Sequence, residues 1–147
     1  MVYNYKMTYR SEIGQFGENL ACEYLVKGGY KIIERNFRQK WGEIDIIAKA
    51  PDKTLVFVEV KTVQSVGRQT NVSAEEQLTS AKLQKLQRTA SLYAGHNQEL
   101  VNDKKGWRID LIALTLQDSS GLMVSLSNPL TINDKSVVIK HYENING

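Results

Sequence analysis

The chain has 147 residues, of which 41% are hydrophobic and 24% charged, and 19 Lys+Arg against 16 Asp+Glu leave a net charge of +3. That length is one domain's worth at roughly 100–200 residues per domain, and the composition excludes a disordered, collagen-like, coiled-coil or disulfide-stapled chain. The lone cysteine, Cys22, leaves no intrachain disulfide and no cysteine-based zinc site, and suits a reducing compartment. The opening residues lack the apolar run of a signal peptide, and no stretch reaches the ~20 apolar residues of a membrane span. The expectation is one soluble, cytoplasmic domain over 1–147. Its net positive charge permits a polyanionic partner without requiring one.

The first predicted element is a helix over 12–27. Ile13, Phe16, Leu20, Ala21, Tyr24 and Leu25 repeat at three-four spacing, Ser11 can cap the start, and Gly28-Gly29 ends it. Three strands are expected next, over Tyr30–Phe37, Gly42–Ala48 and Thr54–Thr62, the last two joined as a hairpin through Ala50-Pro51-Asp52-Lys53. Residues 63–72 carry no periodicity and read as a mobile loop. Ser73-Ala74-Glu75-Glu76 fits a capping box opening a helix that should run to about Ala94 and stop at Gly95. A strand over Trp107–Leu116 follows, then weaker ones near Leu122–Leu126 and Val137–Tyr142. The fold class is a mixed α/β sheet flanked by helices, with its core over about 11–116 and edge strands and a tail over 117–147.

The segment Thr54-Leu55-Val56-Phe57-Val58-Glu59-Val60-Lys61-Thr62 is the most informative. Alternation sends Val56, Val58 and Val60 to one face, and Phe57, Glu59 and Lys61 to the other. An acid and a base are thus carried into a strand apolar enough to be central, where unpaired they would cost several kcal/mol. One reading is that they pair with each other. The neighbouring strand supplies another, because Gly42-Glu43-Ile44-Asp45-Ile46-Ile47 sets Asp45 among isoleucines one hairpin away. Two carboxylates brought together repel unless a proton or cation lies between them. Such hard oxygen ligands suit magnesium or manganese, and an adjacent lysine can orient water or stabilise developing charge. Glu18, at the border of the first helix's apolar face, either joins these acids or is a solvated flank residue.

Gly14-Gln15-Phe16-Gly17-Glu18, Arg35-Asn36-Phe37-Arg38, Gly42-Glu43-Ile44-Asp45 and Val58-Glu59-Val60-Lys61 occur in this order. Together they resemble the YraN-like family of uncharacterised bacterial proteins, over about residues 11–115. That family in turn resembles the PD-(D/E)XK nucleases and archaeal Holliday-junction resolvases. The resemblance implies a restriction-endonuclease-like core in which Asp45 and Glu59 hold a divalent metal, Lys61 is the catalytic lysine and Glu18 is the helix acid. Ile44 stands where the superfamily name has proline, which leaves the metal-ligand positions intact. Resolvase-like relatives act as dimers, so a homodimer is expected by analogy alone.

Lys82 falls amid Leu78, Leu86, Ala90 and Tyr93 on the second helix, so it must snorkel outward or meet a negative partner. Basic residues cluster twice. Lys82, Lys85, Arg88, Lys104, Lys105 and Arg108 stand against Glu99 and Asp103, and Lys31, Arg35, Arg38 and Lys40 against Glu34. Such patches can neutralise phosphates, or form ordinary solvated faces, and the interleaved Phe37 and Trp41 can stack on bases or simply pack. Gly14 and Gly17 permit close approach either of a nucleic-acid backbone or of helix to sheet. Arg108 and Asp110 share a strand face and should form a structural ion pair. His96 and His141 belong to no metal or triad spacing. Nucleophile elbow, phosphate-binding loop and dinucleotide fingerprint are all absent from the sequence. The expected function is a magnesium- or manganese-dependent nuclease acting on DNA through Asp45, Glu59, Lys61 and Glu18, with Lys82, Lys85, Arg88, Arg35 and Arg38 on phosphates. The alternative is a binding module that keeps the fold without cutting.

Overall fold

Helix α1 spans Tyr5–Lys27 and leads into strands β1 (Lys31–Gln39), β2 (Gly42–Lys49) and β3 (Leu55–Ser65). Helix α2 (Ser80–His96) and strands β4 (Trp107–Gln117) and β5 (Val137–Tyr142) follow, with single 3-10 turns at Glu75–Gln77 and Gln98–Leu100. This computed structural model describes residues 5–65, 75–117 and 137–147. The predicted strand near Leu122–Leu126, most of the loop over 63–72, and Ser73 of the predicted capping box lie outside the described residues.

Several local signals act as the sequence reading expects. Gly29 at φ 88° ends α1, where the Tyr30 amide reaches back to the Leu25 carbonyl at 2.9 Å and the Gly29 amide to that of Val26 at 3.0 Å. That paired geometry needs a left-handed residue, which glycine adopts at little cost. Between β2 and β3 the Asp52 carboxylate accepts from the Thr54 amide and hydroxyl at 3.0 and 2.7 Å, fixing the turn.

Other boundaries differ. Helix α1 starts at Tyr5, so Ser11 lies inside it rather than at its cap. Helix α2 starts at Ser80, its N-cap being Thr79, whose hydroxyl accepts from the Lys82 amide at 3.2 Å. Glu75 and Glu76 instead belong to the preceding 3-10 turn, and α2 runs through Gly95 to His96. Residues 63–65 continue β3 rather than opening a loop, because they complete its pairing with β4.

The five strands lie in the order β1-β2-β3-β4-β5. Hairpins make β1–β2 and β2–β3 antiparallel. The α2 crossover makes β3–β4 parallel from Leu55↔Trp107 to Ser65↔Gln117, and β5 adds an antiparallel edge. Both faces are covered. Ala21 and Leu25 of α1 pack on Ile46, Val56, Val58, Ile112 and Leu114, while Leu86, Ala90 and Tyr93 of α2 pack on Ile47, Phe57 and Ile109. The alternation read in β3 thus feeds two cores, each fully buried aliphatic or aromatic side chain contributing about 1.5–3 kcal/mol.

The tail closes the second core. Ile145 packs there, its amide bonds the Ile109 carbonyl at 2.8 Å, and the Asn146 side chain accepts from the Ile109 amide at 2.8 Å. Asp110, fully buried, receives His141 Nε2 at 2.8 Å, Arg108 Nε at 3.0 Å and the Asn144 amide at 2.9 Å. The expected Arg108–Asp110 pair is therefore present, and it is structural. His141, isolated in sequence, is not isolated in space, for its Nδ1 also lies 3.1 Å from the Tyr24 hydroxyl.

Candidate metal centre

Strand β2 leaves β3 partway along. Their paired register runs from Lys49↔Leu55 to Ile46↔Val58, whereas β2 remains paired with β1 to Gln39↔Gly42. At the first residue past the fork, Asp45 Oδ2 accepts the Val60 amide at 2.8 Å, taking a β3 donor that has no β2 carbonyl in the register. Asp45 and Glu59 meet in a side-chain hydrogen bond there, and Lys61 Nζ lies 3.2 Å from Glu59 Oε1. The pairing of Glu59 with Lys61 and the meeting of the two acids are thus both present.

Electrostatics at the fork favour one proton on the pair. Burial raises Glu59 first and the Asp45 charge adds to it, so that despite Lys61 its carboxyl is pushed up to about 7. Burial also raises Asp45, opposed by the Val60 amide and by Lys61. Both carboxyls are thus shifted toward holding a proton, as two acids sharing one low-dielectric site must be, and they titrate as a pair. Two carboxylates that repel unless a positive charge lies between them are the donor set a divalent cation would fit, and their contact at the fork is the observation on which that fit rests.

Glu18 reaches the same region from α1. Gly17 makes this possible, because a Cβ there would collide with the Thr62 hydroxyl of β3. Close helix-to-sheet packing is therefore what Gly17 serves, whereas a Cβ at Gly14 would meet nothing. Burial and the Asp45 charge raise the Glu18 carboxyl, and Arg35, an Asn36 side-chain hydrogen bond and Arg38 oppose them. Glu18 is thus a part-exposed electrostatic neighbour of Asp45. Among the described residues, however, no three His, Cys, Asp or Glu side chains gather into a ready-made metal cage. Magnesium is commonly held by one or two carboxylates with waters and substrate phosphates completing the shell, which is what a two-acid pair offers.

Two clefts flank the projecting end of β3. One, of about 200 Å³, is lined by Glu43, Glu59, Lys61, Lys82, Lys85 and Thr89. The other, of about 490 Å³, is lined by Gly14, Glu18, Val60, Thr62 and Gln77. Lys82 is exposed and its Nζ donates to the Gln77 carbonyl at 3.2 Å, so it snorkels to the rim of the first cleft. Lys85 joins it there, while Arg88 is exposed on α2 and outside that lining. Arg35 donates to Asn19 at 2.7 Å, and Arg38 lies 3.9 Å from Glu43 in an open ion pair that contributes little. Phe37 and Trp41 pack, their centroids 5.6 Å apart, with Phe37 also edge-on to Tyr93 at 5.0 Å. Packing is what these rings do here.

The fold and the fork define a mixed α/β protein carrying a half-buried carboxylate pair beside a lysine. The chain belongs to the uncharacterised protein family UPF0102, whose model matches residues 17–114. It is similar to a UPF0102 protein of Corynebacterium efficiens, 36% identical over 116 residues that cover 78% of this chain and 86% of that protein. A UPF0102 protein of Clostridium botulinum (strain Loch Maree) is 43% identical over 106 residues, 71% of this chain and 80% of that protein. One from Caldicellulosiruptor bescii is 62% identical over a shorter 55 residues, 37% of this chain and 45% of that protein. The matched span contains Glu18, Asp45, Glu59 and Lys61. No helix among the described residues is long and apolar enough to cross a membrane.

Proposed function

We propose that this protein is a magnesium- or manganese-dependent nuclease that hydrolyses phosphodiesters in DNA, built on a restriction-endonuclease-like, PD-(D/E)XK core. The observation that carries the reading is the fork itself: two half-buried acids, Asp45 and Glu59, in contact, with Lys61 3.2 Å from Glu59. A binding module gains nothing from two carboxylates that repel, whereas hydrolysis needs a site of this charge. When bound, a divalent cation supplies Lewis-acid polarisation of a phosphoryl oxygen. Asp45 and Glu59 hold it, and Glu18 adds negative charge from α1. Lys61 orients the attacking water or stabilises charge developing on the phosphate. Lys82 and Lys85 line the cleft that contains Glu59 and Lys61 and neutralise flanking phosphates. Contacts made through phosphates alone would carry no base information, which fits selection by DNA structure rather than sequence.

The test is incubation of the purified protein with linear, flapped and four-way DNAs, with and without magnesium or manganese. Cleavage that requires the metal and disappears in Asp45→Asn supports the reading. Binding without cleavage under every divalent ion would instead assign a module that retains the fold and not the chemistry.

A further inference from the structure

Asn36 has a backbone that its strand does not require. Among the described residues three non-glycine residues have positive φ, namely Asn36 at 52°, Lys53 and Asn144. Lys53 lies in the turn before β3 and Asn144 in the turn after β5, so Asn36 is the one inside a strand. The left-handed region is disfavoured for residues with a Cβ, and asparagine tolerates it best among them. Strand β1 does contain an irregularity, but it falls between Ile32 and Glu34. From Glu34↔Ile47 to Gln39↔Gly42 the pairs with β2 keep one offset, and Asn36 and Asp45 are the step between Arg35↔Ile46 and Phe37↔Ile44 that lies outside the paired register. The left-handed residue is therefore not part of the bulge.

Its position explains it better. Lying between the pairs Arg35↔Ile46 and Phe37↔Ile44, Asn36 stands across the ladder from Asp45. Its side chain hydrogen-bonds Glu18 of α1, whose carboxylate is the electrostatic neighbour of Asp45. One turn of the same helix is also tied to β1 by Arg35 donating to Asn19 at 2.7 Å. We propose that Asn36 is a positioning residue, its left-handed backbone directing the side-chain amide to Glu18 so that the helix acid is held toward Asp45 at the fork. This rests on the metal-site reading above for its purpose, though not for the contact itself. Partners of this kind, one shell out from a metal, usually cost about 10–100-fold in metal affinity when removed.

The test uses Asn36→Gly, which keeps the left-handed backbone and deletes the amide, together with Glu18→Ala and the double variant. Manganese affinity by calorimetry should fall about tenfold in each single variant, and the double variant should bind no more weakly than Glu18→Ala alone. Wild-type affinity in Asn36→Gly, or losses that multiply in the double variant, would overturn the proposal. If the wild type binds no manganese, the metal-site reading fails, and urea midpoints of the same four proteins still decide the contact. Non-additive midpoint shifts then uphold Asn36 as the residue that holds Glu18, and additive shifts refute it.

Discussion

Asp45 and Glu59 carry the proposed chemistry, and the raised Glu59 carboxyl gives pH predictions with a fixed sign. A carboxyl raised to about 7 stabilises the fold fully below its unfolded value and loses that contribution as pH rises through 7. Metal-free protein should therefore lose thermal stability between about pH 5 and pH 8, and Glu59→Gln should flatten that decline in a melting series. If this pair holds manganese, binding displaces the same proton, so affinity should rise by about tenfold per pH unit below 7 and level off above it. Calorimetry across pH checks this, and both Asp45→Asn and Glu59→Gln should weaken binding strongly. Binding indifferent to pH and to both substitutions would place the metal elsewhere. The two acids were legible in the sequence because period-two alternation exposes any charge on an apolar strand. Asn36 was not, since no sequence pattern marks a left-handed residue inside a strand.

At the scale of elements, the informative contrast is between signals that are local and contacts that are not. Gly28-Gly29, the Asp52 turn and the valine alternation of β3 act through neighbours in sequence and could be read directly. The start of α2 could not, because Ser73…Glu76 and Thr79 both satisfy local capping chemistry and only packing selects between them. Thr79→Ala should cost about 1 kcal/mol in denaturant melts as the Lys82 amide loses its acceptor. Asp110, His141 and Tyr24 come together from β4, β5 and α1, and no periodicity encodes a meeting of that range. Burial alone would raise the Asp110 carboxyl, but His141, Arg108 and the Asn144 amide outweigh it and hold it below its ordinary value. A lowered folded value means this stability is present above the unfolded value and lost as pH falls through the folded one. Asp110→Asn should destabilise the protein by about 1–3 kcal/mol, since Arg108 and His141 lose a buried charged acceptor, and should weaken the acid limb of its stability profile. An unchanged melting curve would show that the tail is held by Ile145 and Asn146 alone.

For the whole molecule, a helix on each face fixes the sheet while β2 and β3 part at one end, and the acids, Lys61 and the lysines of α2 collect at that opening. The family resemblance in the sequence marked which acids to compare, but the opening depends on where a ladder stops, which is a property of three strands together. The lysines of α2 extend the site into a surface. Replacing Lys85 and Arg88 by alanine should weaken DNA binding equally across sequences and lower its salt slope by roughly one per lost phosphate contact. A loss confined to one sequence would contradict recognition through phosphates. The nuclease reading is tested most directly by single-turnover cleavage of a four-way or flapped DNA at saturating manganese, comparing wild type with Lys61→Ala. Because a charged lysine repels a metal ion, the variant should keep metal and DNA affinity near wild type while its cleavage rate falls by ~10²-fold or more. A wild type that binds both and never cuts, or a Lys61→Ala variant that cuts at the wild-type rate, would contradict it.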